Sequence, residues 1–227
     1  MYTLHIANKN YSSWSLRPWV LLRALDIPFT EKMHIFSDLG NFQEFRSFSP
    51  TGKVPCLVDG DICVWDSLAI TEYVAEAHPG VWPLEKSARA WARSASAEMH
   101  SGFGALRSEC SMSCGQRVSL SQPSKQLLVD VARIDELWCE GLQSFGGPFL
   151  AGDSFTAVDA FFAPVVFRIE SYQLSLSAQA QAYKDTMIAL PAMREWYDAA
   201  LAETFRETSH ESDIASCGTI QADYRAL

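Results

Sequence analysis

Two adjacent serines near the N-terminus have the chemistry to act on a bound nucleophile. Ser12 and Ser13 close a polar loop, residues 8–13, that lies between a short apolar run and a helical pattern of apolar residues. A hydroxyl at the start of a helix can donate a hydrogen bond to a thiolate, and the helix dipole favours the same negative charge. The serines are therefore candidates for lowering the pKa of a bound thiol. The alternative is a solvated loop that ends in a helix cap.

A second candidate group surrounds a proline at the entry to a predicted strand. Lys53, Val54 and Pro55 precede apolar residues up to Val58. A trans proline there would lose a ladder hydrogen bond, so the pattern favours a cis Val54–Pro55 bond over an ordinary turn proline. The backbone N–H and C=O of Val54 would then face outward and pair with an extended peptide, as an added strand does.

A third candidate group opens the next helical pattern. Asp66 and Ser67 precede apolar residues at helical spacing. Free N–H groups at a helix start suit a ligand carboxylate, and Asp66 suits an ammonium group. Taken alone, the pair fits a plain N-cap. Together with Val54 and Pro55, the Asp66-Ser67 pair suits a ligand with a peptide in the middle, a thiol, and one end that carries both a carboxylate and an ammonium group. Glutathione has all of these features.

Composition narrows the class of partner. The formal charge is −9, and no basic patch is present to bind nucleic acid or an anionic membrane surface. No apolar run is long enough to span a bilayer, and the first residues do not resemble a secretory signal, which predicts a cytoplasmic protein. Six scattered cysteines lack the spacing of a zinc site or a disulfide framework, so we expect reduced thiols and no metal.

The first eighty residues must position the three candidate groups. Their pattern predicts βαβ followed by ββα, with a helix N-cap at Ser15, Pro18 in the first turn of that helix, and a mixed four-stranded sheet. The predicted strands cover residues 3–7, 29–35, 54–58 and 62–65, with a short irregular helix at 42–48. This arrangement predicts a thioredoxin-like domain at residues 1–80.

Helical patterns occupy the rest of the chain after a linker at 78–84, which predicts an all-helical domain at residues 86–227. The predicted helices cover residues 87–112, 124–145, 156–172, 177–188 and 191–203. Thr156 and Asp159 have the spacing of a capping box before an apolar helix. The polar tail after Arg206 shows no readable pattern.

These motifs resemble a known family. Residues 53–55, followed by Trp65-Asp66-Ser67-Leu68-Ala69-Ile70, are similar to the glutathione-binding signature of cytosolic glutathione transferases. The loop Tyr11-Ser12-Ser13-Trp14-Ser15-Leu16-Arg17 is similar to the Ser-Ser-Cys-Ser-Trp-Arg stretch of the zeta class, with Trp14 in place of the cysteine. In that alignment Ser12 takes the position of the catalytic serine. A shift of the alignment by one residue gives that position to Ser13 instead.

The resemblance implies a serine-type, bacterial or zeta-like transferase with a thioredoxin-like glutathione-binding domain and an all-helical C-terminal domain. It implies conjugation of the glutathione thiolate to a small hydrophobic electrophile, a detoxification role, and a homodimer. The alternatives are a non-catalytic interaction module of the same fold, a zeta-like glutathione-dependent isomerase, and a disulfide reductase. His100, Gly104 and Arg107 would share a helix face near a second-substrate pocket or a dimer interface, whereas Arg17, Arg89 and Arg93 receive no role.

Overall fold

A four-stranded mixed sheet organises the N-terminal part of the chain in the computed structural model, which describes residues 1–226. The strand order is β2-β1-β3-β4, with β1 and β2 parallel and the other neighbours antiparallel. The elements in chain order are β1 (Tyr2–Ala7), α1 (Ser13–Ala24), β2 (Phe29–His34), α2 (Phe42–Phe45), β3 (Cys56–Asp59), β4 (Ile62–Trp65) and α3 (Ser67–Ala77). The predicted βαβ and ββα order is confirmed.

The first helix begins earlier than the sequence predicts. Ser12, and not Ser15, occupies the N-cap position of α1, so Pro18 lies inside the helix rather than in its first turn. The physical reason is the side chain of Ser15, which is fully buried and accepts a hydrogen bond from the backbone N–H of Ala7 at 3.2 Å. Ser15 therefore ties α1 to β1 instead of capping the helix.

The C-terminal part is helical, as expected, with one addition to the predicted all-helical domain. Its helices are α4 (Lys86–Ser101), α5 (Gly104–Glu109), α6 (Lys125–Phe145), α7 (Ala157–Tyr172), α8 (Ala178–Ala189), α9 (Pro191–Ala202) and α10 (Thr208–Cys217). Strands β5 (Gln116–Leu120) and β6 (Gly218–Asp223) form an antiparallel pair that the sequence analysis missed. The tail after Arg206 thus contains α10 and β6, while Leu227, the last residue of the predicted second domain, lies outside the described residues.

The predicted helix at 87–112 is broken between Ser101 and Gly104. Gly102 is extended, and Phe103 has a left-handed backbone with φ of 56°. A Cβ on Gly102 would lie 2.7 Å from the carbonyl oxygen of Glu98, so only glycine fits there. The break separates His100, on α4, from Gly104 and Arg107, on α5. The prediction that these three residues share one helix face is therefore wrong.

Helix α7 is the centre of the second domain and packs against α1 of the first. All but one of its residues are buried. Its N-terminus has the predicted capping box, in which Asp159 accepts hydrogen bonds from the backbone N–H and the hydroxyl of Thr156. The backbone N–H of Ala157 also donates to the carbonyl of Val81, which links the connecting segment to the helical core.

Within residues 1–226, none of the helices combines the length and apolar character needed to cross a bilayer. All six cysteines are free thiols.

Candidate functional site

A cleft of about 690 Å³ lies between the sheet domain and the helical domain. Its walls include Ser12, Ser13, Lys53 and Val54. A smaller groove that is lined by Pro55, Asp66 and Ser67 shares Trp14, Thr51, Lys53 and Val54 with the cleft. The structure therefore brings the three candidate groups, which are the two serines, residues 53–55 and the Asp66-Ser67 pair, to one continuous surface.

The two serines occupy different environments at the start of α1. Ser12 is buried, and its hydroxyl donates to Oγ of Ser15 at 2.7 Å. Ser13, the first residue of the helix, is half-buried. First-turn N–H groups of a helix lack intrahelical carbonyl partners, so this end of α1 presents donors and the positive end of the dipole to the cleft. A thiolate beside either hydroxyl would be stabilised.

Residues from the second domain fix the loop that carries the serines. The carboxylate of Glu203 accepts hydrogen bonds from the backbone N–H groups of Lys9 at 2.6 Å and Asn10 at 3.2 Å. The side-chain oxygen of Asn10 accepts from the backbone N–H of Gly115 at 3.3 Å. These contacts hold the loop between β1 and α1 from behind, so that Ser12 faces a cleft whose shape depends on both domains.

The segment before β3 has the predicted backbone. The Val54–Pro55 peptide bond is cis, which confirms that prediction. Val54 is half-buried and lines both the cleft and the groove, whereas Lys53 is exposed and forms no ion pair among residues 1–226. Val54 and a lysine ammonium without an ion-pair partner among the described residues therefore lie side by side at the groove.

The start of α3 carries two polar side chains, one engaged within the protein and one without a hydrogen-bond partner among the described residues. Asp66 caps the helix by accepting from the backbone N–H of Leu68 at 2.8 Å, and its φ of 74° is unusual for a non-glycine residue. Its second carboxylate oxygen lies 3.5 Å from Nε2 of His100. The hydroxyl of Ser67 is fully buried and has no hydrogen-bond partner among the described residues. A buried hydroxyl without a partner is costly, so this position favours a ligand acceptor or donor.

Sequence reasoning considered Arg107 for a second-substrate pocket, but it gave Arg17 no role and did not single out Arg168, so it missed the basic wall of the cleft. Arg17, Arg107 and Arg168 line its inner wall. The Arg17 guanidinium lies 4.2 Å from the ring centroid of Trp14, and that of Arg107 lies 4.7 Å from the same centroid. One signal was available in the sequence: Arg17 lies four residues after Ser13, which places both on one side of α1. The convergence with Arg107 and Arg168 depends on tertiary packing alone.

The C-terminal tail completes the cleft. Glu207, His210 and Asp213 line it from α10 and the residue before that helix. The hydroxyl of Tyr11 donates to Glu211 at 2.6 Å, and Arg225 pairs with both Glu211 and Asp223. Burial, followed by the hydrogen bond to Glu211, raises the pKa of Tyr11, so this phenol remains protonated at neutral pH.

Fold and site together define a two-domain protein in which a thioredoxin-like sheet domain and a helical domain enclose one cleft. Family models agree with this class. The model for the glutathione S-transferase N-terminal domain matches residues 11–77, and the model for the glutathione S-transferase C-terminal domain matches residues 89–199. The chain belongs to the glutathione S-transferase family.

Curated relatives extend the comparison. Over 170 residues the chain is 27% identical to a maleylacetoacetate isomerase from Rattus norvegicus, which covers 73% of this chain and 76% of that protein. A 58-residue stretch is 48% identical to a dichloromethane dehalogenase from Methylorubrum extorquens, but it spans only 25% of this chain and 20% of the dehalogenase.

Solved structures share the fold at low sequence identity. A glutathione transferase homologue from Burkholderia gl BGR1 with bound glutathione superposes with a TM-score of 0.65 at 19% identity, covering 88% of this chain and 97% of that one. Glutathione S-transferase unclassified 2 from Bombyx mori gives a TM-score of 0.71 at 18% identity, with 96% and 99% coverage.

Proposed function

We propose that the protein is a glutathione transferase that binds glutathione along Val54 and Asp66, stabilises its thiolate with Ser12, and adds the thiolate to an electrophile in the cleft. The observation that carries this proposal is the shared surface on which Ser12, Val54 and Ser67 lie. A peptide paired with the backbone of Val54 would extend one end toward the start of α3 and its thiol toward the start of α1.

Each part of glutathione has a chemical complement in this arrangement. The buried hydroxyl of Ser67 and the N-terminus of α3 suit the γ-glutamyl carboxylate, and Asp66 suits the neighbouring ammonium. Lys53 suits the glycine carboxylate because its ammonium has no ion-pair partner among the described residues. The thiolate, rather than the thiol, would then be the nucleophile, and no general base is required.

Ser15 supports Ser12 as the residue that meets the sulfur. In the unliganded arrangement the hydroxyl of Ser12 donates to that of Ser15. If Ser15 reverses the bond and donates to Ser12, the Ser12 hydrogen is free for the thiolate, and the oxygen of Ser15 still accepts from Ala7. Ser13 is the rival, because it lies on the same helix start and lines the same cleft.

A titration of the protein with glutathione across pH tests the proposal, with thiolate absorbance and binding heat followed together. We expect a bound thiol pKa at least about one unit below that of free glutathione, which corresponds to about 1.4 kcal/mol of preferential thiolate binding. Ser12→Ala should raise that pKa and reduce turnover while glutathione affinity stays nearly unchanged, and Ser13→Ala is the matched control. If Ser13→Ala produces the loss instead, the role passes to Ser13.

Failure of glutathione to bind would overturn the transferase proposal and favour a non-catalytic module of the same fold. A glutathione-dependent isomerase is a second candidate, because the match to maleylacetoacetate isomerase extends over 73% of the chain. Trp14 stands where the zeta-class motif has a cysteine, which weakens that candidate. Assays of cis–trans isomerisation and of conjugation to an electrophile, run side by side, separate the isomerase activity from the transferase activity.

A further inference from the structure

Two cysteine side chains meet on one face of the sheet, where β3 pairs with β4. The Sγ atoms of Cys56 and Cys63 lie 3.4 Å apart. Cys63 is paired in the antiparallel register with Val58, two residues after Cys56, so the two cysteines are diagonal neighbours on the same face. A disulfide bond is about 2.05 Å long, so each sulfur would need to move by only about 0.7 Å to form one.

The two thiols also share one hydrogen-bond acceptor. The carbonyl oxygen of Phe48 lies 3.4 Å from Sγ of Cys56 and 3.5 Å from Sγ of Cys63. Within residues 1–226, this carbonyl accepts from no donor other than the two thiols. Because a disulfide has no S–H group, its formation would leave the carbonyl of Phe48 without a protein donor.

Access to solvent distinguishes the two thiols. Cys63 is half-buried, whereas Cys56 is fully buried. Burial, followed by the hydrogen bond with Cys63, raises the pKa of Cys56. The thiolate is the nucleophile in thiol–disulfide exchange, so Cys63 is the thiol that meets a dissolved oxidant first and Cys56 is the thiol that reacts second.

We propose that Cys56 and Cys63 are a site of reversible oxidation, at which glutathione disulfide converts the two thiols into an intramolecular disulfide that weakens glutathione binding. The thiolate of Cys63 attacks one sulfur of glutathione disulfide, forms a mixed disulfide and releases the first glutathione thiolate. Cys56 then attacks Sγ of Cys63, and the second glutathione thiolate leaves. The two thiol protons pass to the released thiolates, so the protein loses two electrons and glutathione disulfide gains them.

The position of the pair connects its oxidation to the proposed glutathione site. Cys56 directly follows Pro55, which lines the groove. Residues on both sides of Phe48, among them Phe45 and Thr51, line the cleft. Loss of both donors at the carbonyl of Phe48 should therefore loosen this part of the wall. The disulfide itself goes beyond the proposed function, and only its effect on glutathione binding rests on that function.

The mass of one peptide tests for the disulfide. Trypsin releases both cysteines in a single peptide, residues 54–86, which contains none of the other four cysteines. The protein is incubated with glutathione disulfide, quenched in acid, alkylated with N-ethylmaleimide under denaturing conditions and digested. We expect this peptide to lose two hydrogens and to take up no maleimide, and we expect dithiothreitol to restore both thiols.

Matched variants test the order of the two steps. Cys63→Ser keeps a donor for the carbonyl of Phe48 but lacks the first thiol, so Cys56 should remain alkylatable. Cys56→Ala lacks the second thiol, so the reaction should stop at a mixed disulfide that carries one glutathione on Cys63. This variant also serves if Cys63→Ser does not fold. Cys139→Ser, at another half-buried thiol, is the control and should form the disulfide normally.

S-methylglutathione measures the effect on the glutathione site, because it has no thiol and cannot reduce a disulfide. After the oxidant is removed, we expect the oxidised protein to bind this analogue at least about fivefold more weakly than the reduced protein in calorimetric titrations, the scale of one lost hydrogen bond. The affinity of Cys63→Ser should stay the same after the same treatment.

Two alkylatable thiols in peptide 54–86 after oxidation would overturn the inference and leave the transferase proposal intact. Equal affinity of the oxidised and reduced forms for S-methylglutathione would overturn the link to glutathione binding. If S-methylglutathione binds neither form, the proposed function and that link fail together, whereas the peptide mass still reports the disulfide.

Discussion

Individual side chains at the site combine structural and chemical roles. Asp66 caps α3 and faces His100, and in the proposed glutathione complex it would also pair with the ligand ammonium. Ser15 anchors α1 to β1 and contacts the hydroxyl of Ser12. Such residues need substitutions that remove one role at a time, because a loss of activity alone does not say which role was removed.

Asp66 permits that separation. Asp66→Asn keeps a good N-cap and removes the charge, whereas Asp66→Ala removes both. We expect both variants to weaken glutathione affinity, measured by calorimetry, by about tenfold or more, the scale of one charge-assisted contact. Only Asp66→Ala should also lower thermal stability, by about 1 kcal/mol. Normal glutathione affinity in Asp66→Asn would show that the charge has no part in binding.

At the scale of elements, the site is built at the ends of helices. The N-terminus of α1 faces the cleft and that of α3 faces the groove, and the break between α4 and α5 brings Arg107 into the cleft. Arg107 also satisfies carbonyls at the end of α4, so the break and the arginine stabilise each other. Helix α7 packs against α1 and α4 from the core.

The capping box of α7 should therefore carry a large part of the folding free energy. Asp159 is fully buried and accepts hydrogen bonds from the backbone N–H groups of Leu150 and Thr156 and from the hydroxyl of Tyr183. Asp159→Ala would leave these donors unsatisfied and should lower the free energy of unfolding, measured in urea, by about 3 kcal/mol.

Asp153→Ala, at an exposed aspartate in the preceding loop, is the control for Asp159→Ala and should change stability by less than about 0.5 kcal/mol. Equal stability of the two variants would refute the structural role of the buried carboxylate.

At the scale of the whole molecule, the cleft differs in charge from the chain as a whole. The formal net charge is −9, yet three arginines line the inner wall of the cleft. The second half of the chain closes over the first. Glu203 holds the loop before α1, and Glu211 of α10 and Arg225, which follows β6, both contact the hydroxyl of Tyr11. The site is therefore a property of both halves, and neither half forms it alone.

Arg225 tests the contribution of the tail. Its guanidinium is buried and pairs with Glu211 and Asp223, which joins β6 to α10. Arg225→Ala would remove the ion-pair partner of both carboxylates, and Glu211 would keep only its hydrogen bond from Tyr11. Amide hydrogen exchange in residues 208–217 should therefore rise at least about tenfold, and the KM for the second substrate should rise more than kcat falls. Arg225→Lys should show a smaller effect. Unchanged exchange in Arg225→Ala would mean that other contacts hold the tail.

The sequence by itself determined the local features of this protein. The strands and helices of the first domain, the cis Val54–Pro55 bond, and the capping box at Asp159 follow from short-range patterns, because periodicity, proline chemistry and capping act over a few residues. The same patterns brought out the serines, Lys53 and Asp66 as candidates.

Only the tertiary structure decided the features that depend on distant residues. Ser15 looked like a cap until its bond to Ala7 showed it to be an internal anchor. The pairing of β5 with β6 joins segments about one hundred residues apart, beyond the range of any local pattern. The convergence of Arg17, Arg107 and Arg168 required three helices from both domains to pack together. Charge in a cleft is set by which side chains meet there, and the sequence does not encode that meeting locally.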